Sequence, residues 1–296
     1  MIKKAGISLG SGGAKGIAHI GVLEILEVYN IEITEISGCS IGSMIGALYA
    51  SGCSIEKMKK IAFDIDLKKM WDLFDFTNPI SGGLIKGDAV EKFLSDILPV
   101  RKFEELRIPF KCIATDIQSG EPVIYDSGDL IPAIRASISI PGLFIPYKFN
   151  DRLLVDGGIV NPVPIDLLSS SEFKIAVIVD EYQTLKNLSE HKITLDKLLK
   201  KHLSNKLQPI IDMISKNNKP KKEMKFINLL SSSIDNFSKH ISASNEIIST
   251  SDLIIKPDVQ DIATLAFHNG YKSFMKGIYA TEKAIQDLKN NDSINK

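Results

Sequence analysis

The sequence predicts an α/β fold, a sheet with helices packed on its faces. Short β-branched runs alternate with helical patterns along the first part of the chain. Glycine-rich turns stand where strands hand over to helices. The composition, 44% hydrophobic and 24% charged over 296 residues, is that of a globular chain able to bury a large core as one large domain or two small ones.

Taken in order, AGISL (Ala5 to Leu9) reads as a buried strand and Ile17 to Tyr29 as a helix. IEITEI (Ile31 to Ile36) is a second strand, and the stretch from Gly42 to Gly52 a second helix. FKCIATD (Phe110 to Asp116), LLVD (Leu153 to Asp156) and KIAVIVD (Lys174 to Asp180) are further strands. Ser54 to Arg101 is less regular and reads equally as a flap over a site or as a helical insertion that only packs. Near the C-terminus Tyr271, Phe274, Met275, Ile278, Ile285 and Leu288 recur at helical spacing, which predicts a packed terminal helix.

The 36 basic residues balance the 36 acidic ones, so bulk charge gives no reason to expect nucleic acid as a partner. Cys39, Cys53 and Cys112 are too few for a disulfide framework and lack the paired spacing of a zinc site, and they fit a reducing compartment. The N-terminal MIKKAGISLGSGGAKG has too short an apolar run for a signal peptide. The uncharged run from Ile36 to Ile55 has spanning length, yet four Gly and five Ser make it too weakly apolar for a membrane helix. The expected location is therefore cytoplasmic.

From Thr184 to Lys225 eleven Lys stand against four acidic residues. Leu195, Leu198, Leu199, Leu203, Leu207 and Ile210 recur there at helical spacing, with lysines largely between them. Two readings fit the basic helix of residues 194–216: it packs its Leu face on the core with Lys in water, or it lies peripherally on the inner, anionic face of a membrane.

Three motifs carry chemistry. GISLGSGGAKGIAHIGVL places Gly10, Ser11, Gly12, Gly13, Lys15 and Gly16 between a strand and a helix, where unpaired N–H groups and the helix dipole favour negative charge. Such a loop holds a phosphate or an oxyanion. The spacing fails both nucleotide templates. Lys15 stands where a dinucleotide fingerprint wants its last Gly, and no Ser or Thr follows it as a Walker loop requires. In GCSIG, Gly38 and Gly42 flank Ser40 as G-x-S-x-G in a strand–turn–helix setting, which suits a nucleophile elbow as well as a simple N-cap. In LLVDGGIVNPVP, Asp156 ends a strand and is followed by Gly157 and Gly158. By itself this is a turn or a carboxylate placed to act as a base. His19, His191, His202, His240 and His268 offer no obvious imidazole for Ser40, and His19 is expected to pack beneath the glycine loop.

The blocks GSGGAKGIAHIGVL, GCSIGSMIGALYA, IRASISIPGLFIPY and LLVDGGIVNPVP, in this order over about residues 5 to 168, resemble the bacterial branch of the patatin-like phospholipase family, with weaker echoes in SGGLIKGD and DLIIKPDV. The resemblance implies a three-layer α/β/α sandwich with a mainly parallel central sheet. It implies hydrolysis of lipid acyl esters by a Ser–Asp dyad without metal or cofactor. By position, Ser40 matches the nucleophile, Asp156 the dyad aspartate, and Gly12 and Gly13 the oxyanion-hole glycines. Lys15 matches a basic position of the loop. Ser11 departs from the pattern, since many members carry a third glycine there; the loop tolerates it if Ser11 avoids positive φ. Cys39 is expected to be a small packing residue. The block IRASISIPGLFIPY is expected to supply apolar wall. Residues 1–180 would then form the catalytic core, and 181–296, a Lys-rich helical insertion followed by a strand and a helix, would complete the same domain. An acyltransferase with the same dyad and a non-catalytic lipid-binding regulator of the same fold remain the alternatives. Head group, chain length and oligomeric state leave no mark in the sequence.

Overall fold

The computed structural model describes residues 2–75, 83–179 and 248–294. Five parallel strands form the body of its sheet in the order β10 (Leu253–Ile255), β9 (Lys174–Val177), β1 (Lys4–Leu9), β2 (Glu32–Cys39) and β4 (Phe110–Asp116). Antiparallel β5 (Pro122–Tyr125), β8 (Arg152–Asp156) and β7 (Tyr147–Phe149) extend it from β4. A separate parallel pair joins β3 (Gly83–Ile85) to β6 (Gly142–Phe144). The mainly parallel α/β architecture is the one the sequence predicts.

Apolar residues cover the sheet on both faces, as a parallel sheet requires. Ile7, Leu9, Ile175 and Val177 join the main core with residues of α1 (Ala18–Val28), α2 (Ile41–Ala50) and α3 (Ile55–Phe63). Ala176 and Ile178, one residue out of phase, face the other way and pack with Val163, Ile165 and Leu168 from the segment after β8. The terminal helix, α7 in chain order (Gly270–Ile294), lies against α1. Its Ser273 hydroxyl donates to the Lys15 carbonyl at 2.6 Å and accepts the Ala18 N–H at 3.0 Å. Of the apolar stripe on this helix, Phe274 and Ile285 are buried, whereas Tyr271 is exposed and meets Phe63 edge-on.

The described residues of the stretch from Ser54 to Arg101 are largely helical. They contain α3, α4 (Leu67–Leu73) and α5 (Asp88–Ile97). Ile55, Met58 and Ala62 form the buried face of α3, and Ser54 caps it by accepting the Lys57 N–H. The first turn of α5 is capped from a distance: the Asp75 carboxylate accepts the N–H groups of Gly87, Asp88 and Ala89 at 2.6, 2.7 and 3.2 Å. The Lys-rich helix proposed for 194–216, with His191, His202 and His240, lies outside the described residues.

One strand explains how distant parts of the chain meet. β4 uses one edge for β5, through Cys112 to Thr115. Its other edge is shared end to end by β2, opposite Phe110 to Ile113, and β8, opposite Ala114 to Asp116. The last residue of β2, Cys39, faces Ile113, and the last residue of β8, Asp156, faces Ala114.

Candidate active site

The uncharged run that has spanning length is split by a sharp turn. β2 ends at Cys39, α2 begins at Ile41, and Ser40 between them adopts φ 55° and ψ −123°. That is left-handed backbone which a side chain rarely accepts, and its cost must be met by surrounding contacts. Gly42 lets the helix start so close to β1 that a Cβ there would lie 2.0 Å from the Leu9 carbonyl oxygen. No helix among the described residues is long and apolar enough to cross a membrane.

The Ser40 hydroxyl donates to Asp156 Oδ2 at 2.5 Å, and both residues are buried. Asp156 Oδ1 accepts the Gly158 N–H at 2.8 Å and lies 3.8 Å from the Cys39 thiol. Burial lifts the Asp156 carboxyl from 3.8 to about 6, while hydrogen bonds from Ser40, Gly158 and Cys39 pull the other way. Burial, followed by the charge of Asp156, pushes the Cys39 thiol well up, so it stays protonated beside that carboxyl.

The glycine loop sits beside the serine. Its Gly10 and Ser11 N–H groups are tied to the carbonyls of Val177 and Pro162, and the Ala14 N–H to that of Thr264. No turn or loop bond among the described residues takes up the N–H groups of Gly12 and Gly13. Gly13 has φ 58°, and a Cβ there would lie 2.3 Å from the Thr264 carbonyl oxygen. Ser11 has no positive φ, so the departure from a third glycine strains nothing. Lys15 is buried and reaches Gln260 Oε1 at 3.3 Å, tying the loop to the segment before α7. Gly16 packs on Ile41, Gly38 on Gly42 and Gly157 on Ile113, so these motif glycines serve close approach. Gly158 also nears the Ser11 hydroxyl.

His19 lies under this loop. It is wholly buried, its Nε2 is 2.8 Å from the Gly10 carbonyl, and its Nδ1 has no partner among the described residues. The proton therefore sits on Nε2 and donates to Gly10. Burial drops the imidazole to about 4, with the Gly10 bond opposing it.

Ser40 and Gly13 share the wall of a cavity lined otherwise by apolar side chains, among them Met44, Leu48, Met58, Ile138 and Phe144. Ile140, Leu143 and Phe144 come from the block IRASISIPGLFIPY, as the sequence suggests. Leu265 and Phe267, which carry no motif, close it from the C-terminal side. Ser137, whose hydroxyl accepts the Ser40 N–H at 3.0 Å, also lacks a sequence signal beyond its place in that block. Among the described residues no group of three His, Cys, Asp or Glu side chains is arranged to hold a metal ion.

Fold and site together define an α/β protein with a hydrogen-bonded serine–aspartate pair beside an apolar cavity. The chain belongs to the patatin-like phospholipase family, whose model matches residues 7–169, more than half of its length. An uncharacterized NTE family protein of Mycobacterium tuberculosis is 33% identical over 176 residues, covering 60% of this chain and 48% of that protein. Lysophospholipase NTE1 of Candida albicans is 33% identical over 178 residues, 59% of this chain and 13% of its own. The human patatin-like phospholipase domain-containing protein 6 is 33% identical over 178 residues, 58% of this chain and 13% of its own. The chain thus spans half or less of these relatives' lengths.

Proposed function

We propose that this chain is a lipid acyl hydrolase of the phospholipase A or lysophospholipase type, with Ser40 as nucleophile and Asp156 as its base. The observation that carries the reading is the 2.5 Å bond between the two side chains at the wall of an apolar cavity. Family membership and the name of the Candida relative support a lipid ester as substrate.

Ser40 Oγ attacks the ester carbonyl carbon while its proton passes to Asp156. The carbonyl oxygen becomes an oxyanion and takes hydrogen bonds from the Gly12 and Gly13 N–H groups. Collapse breaks the ester C–O bond, and the alcohol leaves with the proton from Asp156. Water then attacks the acyl-Ser40, Asp156 takes its proton, and the fatty acid departs as Ser40 recovers its hydrogen. A buried carboxyl near 6 suits both halves, since the same group must accept and return a proton close to neutrality. The acyl chain occupies the apolar cavity. The enzyme works in the cytoplasm at the inner membrane face, with the basic segment 194–216 as its contact to anionic lipid.

A fluorophosphonate probe tests the assignment directly. It is expected to label Ser40 in the wild type and to leave Ser40→Ala unmarked. Hydrolysis by purified Ser40→Ala at more than a tenth of the wild-type rate would overturn it.

A further inference from the structure

Ser40 holds its left-handed backbone without help from a regular hydrogen-bond ladder. Its N–H falls after the end of β2 and before the first turn of α2, where neither element supplies an acceptor. Ser137, the last residue of α6 (Leu130–Ser137), supplies one: its hydroxyl oxygen accepts that N–H at 3.0 Å, in a wholly buried setting. Two residues on, the Ser139 carbonyl accepts the N–H of Asp156 at 2.9 Å. A single short segment thus grips the backbone of both dyad residues.

That segment is itself braced. Arg135 is almost wholly buried, donates from Nη1 to the Ser139 hydroxyl at 2.6 Å and from Nη2 to the Lys86 carbonyl at 2.6 Å, and stacks on Phe144 at 4.9 Å. The Ser139 hydroxyl returns a bond to the Arg135 carbonyl at 2.7 Å. The segment from 135 to 139 is thus held by its own side-chain bonds, and it bonds the backbone of Ser40, just past β2, and of Asp156, at the end of β8.

We propose that Ser137 is a positioning residue for the nucleophile: its hydroxyl oxygen holds the Ser40 backbone in the conformation that presents Oγ to both Asp156 and the ester carbonyl. It touches neither substrate nor the reacting atoms. With the acceptor gone, the buried Ser40 N–H loses its partner and the turn relaxes toward ordinary φ, which moves Oγ away from the line of attack. The proposal rests on the hydrolase reading above.

The test is steady-state hydrolysis of a soluble acyl ester, normalised to sites titrated with a fluorophosphonate. Ser137→Ala is expected to lower kcat per titrated site about tenfold, the scale of one buried hydrogen bond, with KM unchanged. The rate constant for fluorophosphonate labelling is expected to fall by a similar factor. Ser137→Cys, a weaker acceptor of similar size, is expected to fall between the two. Ser51→Ala is the control. It removes another buried serine hydroxyl, bonded to the Leu48 carbonyl at the far end of α2, and is expected to lower Tm while keeping kcat per titrated site. Wild-type kcat per titrated site in Ser137→Ala overturns the proposal, including when total activity falls only because fewer sites titrate. A wild type that fails to label at Ser40 overturns the hydrolase reading as well, so the two failures are distinct.

Discussion

Ser40 and Asp156 share a 2.5 Å hydrogen bond because both leave the same edge of β4 at consecutive positions, one just past Ile113 and the other opposite Ala114. β2 arrives parallel to β4 and β8 antiparallel, so their C-terminal ends converge on one point. The backbone ladder thereby brings two segments far apart in sequence to adjacent positions on one strand edge.

Asp156→Asn is expected to abolish nearly all hydrolysis and yet to stabilise the fold at neutral pH. The carboxyl releases its proton near 3.8 in the unfolded chain and near 6 in the folded one. Between those values the folded state holds the extra proton, so stability falls as pH rises from 4 to 6 and is level above. The full difference is about 3 kcal/mol. Urea unfolding at pH 8 is expected to favour the Asn variant by up to about that amount, with the advantage gone at pH 4. Equal urea midpoints for the two proteins at pH 8 would refute the assignment of a desolvated carboxyl.

The same group sets the pH profile. The proposed base works only when ionised, so kcat/KM is expected to rise with pH through an inflection near 6 and then level off. The Cys39 thiol donates to the carboxylate and holds its proton affinity down. Cys39→Ala is therefore expected to move the inflection upward, and a downward shift would contradict this role.

Gly13→Ala puts a methyl where the Thr264 carbonyl stands and strains a left-handed residue. The loop must withdraw from Thr264, and its N–H groups with it. Hydrolysis is expected to fall ~100-fold or more, in line with the loss of an oxyanion donor. A lowered Tm is expected to accompany it, and activity within threefold of wild type would show that the loop does not serve the oxyanion.

Leu48→Trp tests the acyl site. Ser40 and Leu48 stand at the two ends of one cavity wall on α2, about 12 Å apart at the usual helical rise. A Trp there shortens the space available to a chain. The ratio of long-chain to short-chain ester hydrolysis is expected to drop about tenfold or more. An unchanged ratio would place the acyl chain elsewhere.

The basic segment 194–216 predicts binding to anionic vesicles that weakens as salt rises. Binding that ignores salt, or none at all, would favour a helix that packs its leucines on the core.

The motif-bearing elements were legible because their local chemistry is periodic or spaced. β4 runs over Phe110–Asp116 as its β-branched pattern indicates, and Ser40 stands at the turn that G-x-S-x-G marks. His19 lies under the glycine loop, as its position in the following helix suggests. Three-residue strands such as β6 and β7 were not legible, since so short a run shows no alternation. The stretch 54–101 was legible only as a choice between a flap and a helical insertion, since α5 takes its cap from Asp75 across a gap in sequence. Ser137 ends α6, Phe267 opens a 3-10 helix and Thr264 lies in a turn, and the sequence leaves no periodic trace of which hydroxyl, ring or carbonyl such an end or turn will present.

The span that matches the family stops at residue 169, whereas the glycine loop is latched by the Thr264 carbonyl and the cavity is finished by Leu265 and Phe267. A protein trimmed to the family span would retain Ser40 and Asp156 and lose the far wall of their chamber. Shortest-active-fragment experiments on this chain should therefore keep Thr264, Leu265 and Phe267.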